Sequence, residues 1–301
     1  MLEKVDLRRS LDKASYKAQM PRLRDRLYAA QKLSWDAGLA VMIVFEGWSA
    51  AGKGTTIQQL TAPLDPRGFK LHAIQPPRTH EKAYPWLWRF WTKLPARGEW
   101  AIYDGSWYRR VLVERVEKQI PEEEWRRAYR DIVDFERAQA DDGTLIVKFF
   151  LHISRQEQKK RFKKLEKDPV TAWRVTEEDW EQQRRYERYL LAVEEMLERT
   201  ETEWGPWTIV EATDKRHCRV KVFETLLAQV VDRLTERGQL NDQQLAYLTH
   251  YHSTSDAPAV FWPAVRQMGG DDEDDDDGPG DADDLLVDDT VLDDITVDGQ
   301  G

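Results

Sequence analysis

The chain has 301 residues, of which 41% are hydrophobic and 33% charged, and it contains one cysteine, Cys218. This length accommodates one large α/β domain with extensions, and a single cysteine excludes an internal disulfide, which favours a reducing cytoplasm. No apolar run approaches the length of a membrane-spanning helix, and the first residues lack the apolar core of a secretory signal. We therefore expect a cytoplasmic protein without a membrane partner.

The formal net charge of -10 conceals two regions of opposite sign. Residues 271–301 contain fifteen Asp or Glu and no Lys or Arg, which leaves 45 basic against 40 acidic side chains, a net +5, for residues 1–270. The composition of the tail predicts disorder from about residue 270. The basic body suits a polyanionic ligand, and we hypothesise that the tail competes with such ligands for it.

The predicted elements begin with an N-terminal helical segment, residues 1–37, in which residues 16–36 form an amphipathic helix interrupted near Pro21. Residues 38–237 then alternate strands with helices, and this rhythm predicts a parallel sheet covered on both faces. The strands are predicted at residues 39–45, 70–75, 99–104, 145–153 and 207–211. A C-terminal extension, residues 238–301, loses periodicity.

The helices predicted between these strands differ in character. Residues 84–91, YPWLWRFW, form an aromatic helix that either packs in a core or subunit interface or offers a wall on which a base stacks. Residues 155–167 form a strongly basic helix, and Thr176, followed by acidic residues, starts another long helix. Further helices are predicted at residues 122–140 and 218–234.

A glycine-rich loop follows the first predicted strand. The sequence GWSAAGK, from Gly47 to Lys53, has the G-x-x-x-x-G-K spacing of a phosphate-binding loop, and helical periodicity follows it. Glycines allow backbone N–H groups to turn towards an anion, and the helix N-terminus adds the positive end of its dipole. We therefore predict phosphate binding, with Lys53 as a cation for the transferred phosphate. The predicted loop residues are Gly47, Ser49, Ala50, Ala51, Gly52, Lys53, Gly54 and Thr55.

The loop departs from the common pattern after its lysine. Gly54 stands where Ser or Thr usually holds Mg²⁺, and Thr55 comes one position late, so the metal must be held mainly from elsewhere. Asp104 ends a predicted strand, where open α/β sheets place ligands, and a carboxylate beside a phosphate loop suits Mg²⁺. We predict Asp104 as the metal ligand, with the hydroxyl of Ser49 as a second candidate.

Arginines near these residues suit phosphate oxygens because the guanidinium is a planar fork. Arg110 and Arg115 follow Asp104 on a predicted helix, although either could equally form a surface salt bridge. Lys53, Asp104 and Arg110 are expected to converge on one concave site. A helical lid is predicted at about residues 155–199. Its candidate phosphate-binding cations are Arg161 and Arg174, whereas most other cations of the lid could equally form a solvated face.

Several spaced segments of the sequence resemble the polyphosphate kinase 2 family. They are FEGWSAAGKGT, QPPRTHE, YPWLWRFW, YDGSWYRRVLVERV, TAWRVTEEDW and RTETEWGPWTIVEATDKR. The resemblance covers about residues 10–236. It implies an α/β P-loop kinase fold, with a five-stranded parallel sheet, helices on both faces and a helical lid.

The same resemblance implies phosphoryl transfer between inorganic polyphosphate and a nucleoside mono- or diphosphate, such as AMP, ADP or their guanine equivalents. It implies Mg²⁺ as the cofactor, with Mn²⁺ as an alternative, and a homodimer or homotetramer. We expect no nucleic acid as a partner. The catalytic residues of the family correspond to Lys53, Asp104, Arg110 and Arg115. Basic residues that would line a polyphosphate path correspond to Lys70, Arg78 and Arg89.

Two positions depart from the family pattern. Ser49 stands where the family usually has Asp, and Gly105 stands where it usually has Arg. Loss of one preorganised electrostatic group typically costs about 10²–10³ in rate. One alternative is therefore a weakly catalytic pseudokinase that binds polyphosphate or nucleotide and acts through a partner, and another is a nucleotide kinase that uses ATP. Arg109 would offer partial compensation if this segment is helical, because it would then follow Gly105 by about one helical turn.

Overall fold

The computed structural model describes residues 2–249, which are built around a five-stranded, all-parallel sheet of order β2-β3-β1-β4-β5. The strands are β1 (Val41–Gly47), β2 (Phe69–Ala73), β3 (Trp100–Asp104), β4 (Leu145–His152) and β5 (Trp207–Glu211). The central strand β1 is buried along almost its whole length, as an apolar run in a parallel sheet requires. The five predicted strands are confirmed, each to within two residues at either end.

Ten α-helices accompany the sheet within residues 2–249. They are α1 (Lys13–Asp36), α2 (Lys53–Thr61), α3 (Trp88–Trp91), α4 (Val113–Val116), α5 (Glu122–Asp141), α6 (Arg155–Lys167), α7 (Glu177–Arg184), α8 (Tyr186–Arg199), α9 (Lys215–Glu236) and α10 (Asp242–Thr249). Helix α9 packs against β4, β5 and α1, and α5 packs against β4. None of these helices is long and apolar enough to cross a membrane.

The predicted interruption near Pro21 is wrong, because α1 runs unbroken through that residue. Asp12 caps its N-terminus by accepting a hydrogen bond from the Ser15 backbone N–H at 2.9 Å. Met20 and Leu27 are buried in the core on either side of the proline. This packing outweighs the one intrahelical hydrogen bond that proline cannot make.

The predicted aromatic helix is also shorter than expected. Only the four residues of α3 are helical, because Pro85 precedes them in a turn, its carbonyl oxygen accepting from the Trp88 N–H at 2.8 Å. Phe90 is buried, but Tyr84 and Trp91 are 50% and 47% exposed, so the segment lies at the surface of the described chain rather than in its core.

Three further differences concern helix boundaries. The long helix predicted from Thr176 is divided at Arg185 into α7 and α8. Arg110 lies in a 3₁₀ turn rather than on one helix with Arg115, which belongs to the short α4. Helix α10 falls in a stretch predicted to lack periodicity. The predicted acidic tail lies outside the described residues.

Candidate functional site

The loop between β1 and α2 has the backbone of an anion-binding loop, and the predicted order of strand, loop and helix is confirmed. Helix α2 begins at Lys53, and the residue before it, Gly52, has φ +99°. Ala50 also has a positive φ, of +58°. Such alternation turns successive N–H groups towards one side, where the first N–H groups of α2 lack intrahelical partners. Gly47 is required because a Cβ there would lie 2.5 Å from the Leu151 carbonyl oxygen.

Trp48 anchors this loop to the core. Its indole N–H donates to Nδ1 of His152 at 2.8 Å, and its ring stacks on Tyr186 of α8 with 4.1 Å between centroids. Burial lowers the pKa of His152 to about 4, so the imidazole is neutral at pH 7 and Nδ1 can accept. The loop is thereby tied to β4 and to α8.

Arg161 of α6 holds the opposite side of the loop. Its guanidinium donates to the carbonyl oxygens of Ala50 and Ala51 at 2.9 and 3.0 Å, and to that of Ala212 at 2.7 Å. Its Nε donates to Glu157 at 2.9 Å. This predicted lid cation therefore joins α6, the loop and the residues after β5.

A cavity of about 1450 Å³ opens beside the loop and the end of β3. Nine cationic and three acidic side chains line it, so a polyanion is the ligand class that its charge favours. The cations are Lys53, Lys159, Lys160, Arg161, Lys163, Lys164, Lys167, Arg174 and Lys215, and the acids are Asp104, Glu157 and Asp179. The Lys53 ammonium donates to the Gly47 carbonyl oxygen at 3.0 Å, folded back on its own loop.

Glu46, directly before the loop glycine, is a site residue that was not predicted. This carboxylate is 7% exposed and accepts a hydrogen bond from Ser106 Oγ at 2.7 Å. Burial raises the pKa of Glu46, against the opposing effects of the Ser106 hydrogen bond and of the charges on Lys53 and Arg109. An acidic residue that ends an otherwise apolar strand was the available signal in the sequence. Asp104 lies next to it in space, because its Cα pairs with that of Phe45.

Asp179 was also missed as a site residue. Ser49 Oγ donates to Asp179 Oδ1 at 2.6 Å, although the two residues lie 130 positions apart. Asp179 Oδ2 accepts from the Thr176 backbone N–H at 2.9 Å, which completes the capping box of α7. The sequence identified this acid only as part of a helix start, and no local pattern indicates its contact with the loop.

A second, smaller cleft of about 400 Å³ lies on the other side of the segment that follows β2. Its charged and aromatic lining includes Trp86, Arg89, Arg109 and Arg110. The guanidinium of Arg110 donates to Glu114 at 2.8 Å and lies 5.5 Å from the centre of the Trp86 ring. The expected convergence is therefore seen for Lys53 and Asp104, which share the large cavity, and not for Arg110.

The remaining predicted site cations are more dispersed. Arg115 packs between helices, with its guanidinium 4.0 Å from the Trp125 ring centre and 2.6 Å from Glu195. It lines neither opening. Lys70 pairs with Glu99 at 2.9 Å on the surface, and the exposed Arg78 likewise lines neither opening.

Two predicted cations do line an opening. Arg89 is buried in the wall of the smaller cleft and donates to the Gln75 carbonyl oxygen at 2.9 Å. Arg174 lines the larger cavity, with its guanidinium 5.5 Å from the Trp173 ring centre.

Gly105 has φ +70°, a left-handed conformation that disfavours other residues. The nearest atom to an added Cβ would be the Ile74 carbonyl oxygen at 3.7 Å, so space is available. The backbone conformation, rather than crowding, is therefore what favours glycine at this position.

The donor set of the large cavity fits a divalent metal that a phosphate ligand helps to hold. Within residues 2–249 no group of three or more His, Cys, Asp or Glu side chains forms a complete metal cage. Asp104 and Asp179 nevertheless provide carboxylates, and Ser49 a hydroxyl, on the same cavity. Mg²⁺ is commonly bound by one or two carboxylates together with waters and substrate phosphates.

The family model of polyphosphate kinase 2 matches residues 10–238, about three quarters of the chain. This chain belongs to the polyphosphate kinase 2 family. The P-loop kinase fold expected from the resemblance is thereby confirmed. A crystal structure of polyphosphate kinase 2 from Arthrobacter aurescens superimposes with a TM-score of 0.73 at 31% identity, covering 76% of this chain and 85% of that one.

Two curated relatives are similar in sequence. The chain is 44% identical over 226 residues to a polyphosphate:AMP phosphotransferase of Pseudomonas aeruginosa, covering 75% of this chain and 46% of the relative. It is 35% identical over 215 residues to NDP-polyphosphate phosphotransferase 3 of Ruegeria pomeroyi, covering 71% of each. The chain thus spans about half the length of the first of these relatives.

Proposed function

We propose that this chain transfers a phosphoryl group between inorganic polyphosphate and a nucleoside mono- or diphosphate, with Mg²⁺ or Mn²⁺ as cofactor. The observation that carries the proposal is the large cavity, where the phosphate loop, Asp104 and nine cations line one space. Phosphoryl transfer depends on positioning and charge neutralisation, and this lining supplies both. From the family resemblance we also infer a cytoplasmic homodimer or homotetramer.

The two openings suit different substrates. The large cavity carries a row of lysines along α6, and a chain with one negative charge per phosphate matches such a row. The smaller cleft combines the Trp86 ring with Arg109 and Arg110, which suits a base and the phosphates of a nucleotide. Arg109 Nε is a buried donor without a hydrogen-bond partner among the described residues, as expected for a group that binds an anionic ligand.

The residues of the chain would divide the work as follows. Asp104, with the Ser49 hydroxyl on the same cavity, would hold the metal, which would supply neutralisation of phosphate charge. Lys53 would exchange its hydrogen bond to the Gly47 carbonyl for a phosphate oxygen. The N-terminus of α2 would bind the phosphate through backbone N–H groups. Residues 155–199 would act as the lid that excludes water from the transferred group.

The alternatives are weighed by specific observations. The names of the two relatives specify polyphosphate as a substrate, which favours it over an ATP-using nucleotide kinase. Against a pseudokinase, the Asp179 carboxylate accepts a hydrogen bond from Ser49. The charge of Arg109 also acts on Glu46 at the end of β1, where it lowers the pKa of that carboxyl against the larger effect of burial. The negative charge that the resemblance expects at residue 49 thus has a counterpart in Asp179, and the positive charge expected at residue 105 has one in Arg109.

The test is a coupled assay for ATP formed from ADP and polyphosphate, and for ADP formed from AMP and polyphosphate, with Mg²⁺ or Mn²⁺. We expect metal-dependent product, lost in Lys53→Ala and retained in Lys32→Ala, which removes a surface lysine paired with Asp36. Absence of product with AMP, ADP, GMP and GDP, together with retained polyphosphate binding, would establish the pseudokinase. Product from ATP and a monophosphate without polyphosphate would establish the nucleotide kinase.

A second experiment tests the assignment of the two openings. Trp86→Ala should raise the KM for the nucleotide while leaving that for polyphosphate within about twofold. Lys163→Ala should do the reverse, because Lys163 lines only the large cavity. The opposite pattern would exchange the two assignments.

A further inference from the structure

The contact between Ser49 and Asp179 places an acidic group where this chain lacks one. The family resemblance puts an aspartate at the loop position that Ser49 occupies. In this chain the Ser49 hydroxyl donates instead to the Asp179 carboxylate, at 2.6 Å. Both side chains and Asp104 line the same cavity.

The bonding of Asp179 leaves part of its carboxylate available. Oδ2 accepts from the backbone N–H and the Oγ1 hydroxyl of Thr176, at 2.9 and 3.0 Å, which uses both of its lone pairs. Oδ1 accepts from Ser49 and retains one lone pair. Thr176 and Ser49 thus fix the orientation of the group from two sides, as partners of a metal ligand commonly do.

We propose that Asp179 supplies, from the first turn of α7, the second carboxylate of the metal–phosphate site, in place of the acid that the resemblance expects at residue 49. This inference rests on the proposed function. Asp104 contributes a carboxylate from the sheet, and Asp179 contributes one from the proposed lid. The donor set is therefore complete only when α7 lies against the loop, so lid position and metal affinity depend on each other.

A purely structural role for Asp179 makes a different prediction. If the carboxylate only caps α7, then Asp179→Asn should be almost neutral for metal binding, because the amide oxygen can still accept from Thr176. If Oδ1 is a metal ligand, the same substitution removes an anionic donor and weakens binding. Binding of Mn²⁺ in the presence of ADP, measured by electron paramagnetic resonance, separates these outcomes without any turnover.

We expect Asp179→Asn to weaken Mn²⁺ binding by at least about tenfold. The matched control is Glu178→Gln, which removes the same charge from the exposed neighbouring residue and should bind Mn²⁺ as the parent does. Ser49→Asp in the Asp179→Asn background returns the carboxylate to the loop and should recover most of the affinity. The inference is overturned by a parent that binds no Mn²⁺ with ADP, by an Asp179→Asn variant that binds as tightly as the parent, or by a double variant that recovers nothing.

Ser49→Asp alone provides a test that leaves α7 unchanged. It places two carboxylates within hydrogen-bonding distance, so the variant should melt below the parent without metal and gain more than the parent from Mn²⁺. An equal Mn²⁺-dependent shift in melting temperature for the two proteins would overturn the inference. If the parent binds Mn²⁺ but transfers nothing from polyphosphate, the proposed function fails while this assignment stands.

Discussion

Arg161 donates a hydrogen bond to the carbonyl oxygen of Ala50 at 2.9 Å, across 111 positions of sequence. Ala50 has φ +58°, a conformation that costs an L-residue about 1 kcal/mol or more. Such a residue persists where its surroundings hold it in place. The shape of the phosphate loop therefore depends on a helix that belongs to the proposed lid.

Arg161→Lys tests this dependence because it keeps the charge and removes the planar fork. Arg161 donates five hydrogen bonds in all, the fifth to the Thr213 carbonyl oxygen at 3.0 Å. A lysine cannot reproduce them, and we expect about 1–3 kcal/mol less stability together with at least about tenfold lower kcat/KM for polyphosphate. The measurements are urea unfolding and initial rates. The control is Lys167→Ala on the same helix, which should raise the polyphosphate KM without changing the unfolding midpoint. Equal midpoints for Arg161→Lys and the parent would contradict this prediction.

Gly105→Arg would restore the side chain that the resemblance expects, but φ +70° opposes it. We expect this variant, and Gly105→Ala, to lose about 1–2 kcal/mol of unfolding free energy. Gly54→Ala is the matched control, since Gly54 lies within α2 at an ordinary φ with no atom within 4 Å of an added Cβ. The Gly54→Ala variant should have an unfolding free energy about 0.5–1 kcal/mol higher than that of the parent. If Gly105→Ala and Gly54→Ala both lowered the unfolding free energy, the positive φ of Gly105 would not be the cause of its loss.

The hydrogen bond from Trp48 to His152 predicts a pH dependence of stability. The native pKa of His152, about 4, lies below its ordinary value of 6.5, so the unfolded chain binds more protons between these pH values. The stability that neutral His152 contributes to the folded protein is fully present above about pH 6.5 and is lost as the pH falls towards 4. When the pH falls from 7 to 4.5, the unfolding free energy of the parent should decrease by about 2 kcal/mol more than that of His152→Asn. The amide oxygen of the asparagine can accept the hydrogen bond from Trp48 but does not titrate.

The measurement is urea unfolding of both proteins at the two pH values. His80→Asn, a substitution at an exposed histidine, is the control and should follow the parent. If His152→Asn lost as much stability as the parent, the titrating group would have to be another one.

The buried ion pair of Lys148 with Glu136 predicts a large loss of stability when one partner is removed. The side chains of Lys148 and Glu136 are both fully buried, and the Lys148 ammonium lies 2.9 Å from the Glu136 carboxylate. That carboxylate also accepts hydrogen bonds from Trp107 Nε1 at 3.0 Å and from the Tyr108 hydroxyl at 2.6 Å. Lys148→Met should cost about 3–5 kcal/mol, because it leaves a buried carboxylate without its counter-charge. A loss below about 1 kcal/mol would contradict this prediction.

Guanidinium unfolding measures this loss, and the surface pair of Lys70 with Glu99 provides the comparison. Lys70→Met should cost no more than about 1 kcal/mol. Adding Glu136→Gln to Lys148→Met should cost less than the sum of the single changes, since the two groups share one network.

The sequence predicts those features that neighbouring residues determine. Strand β5 and helix α6 have the bounds that the sequence predicts, because a short apolar segment between helices and a dense run of basic residues are local signals. The phosphate loop was found because glycine spacing reports backbone conformation directly. Helix α10 had a local signal as well, since Asn241 and Gln244 exchange side-chain to backbone hydrogen bonds of 2.9 Å at its start.

The features that the sequence did not predict depend on packing between distant segments. Pro21 remains helical because the core holds α1, which outweighs a local preference. The contact of Asp179 with Ser49, and the position of Arg110 in a separate cleft, follow from how the lid and the segment after β3 fold back on the sheet. No residue spacing encodes these distances.

The segment after β2 separates the two openings with a wall one strand thick. Leu71, Ala73 and Gln75 line the large cavity, whereas Ile74 lines the smaller cleft, because successive side chains point in opposite directions. Ligands on the two sides therefore press against a common backbone. Any displacement of that backbone by one ligand makes the two bindings cooperative, and the factor by which polyphosphate changes nucleotide affinity must equal the factor in the reverse direction.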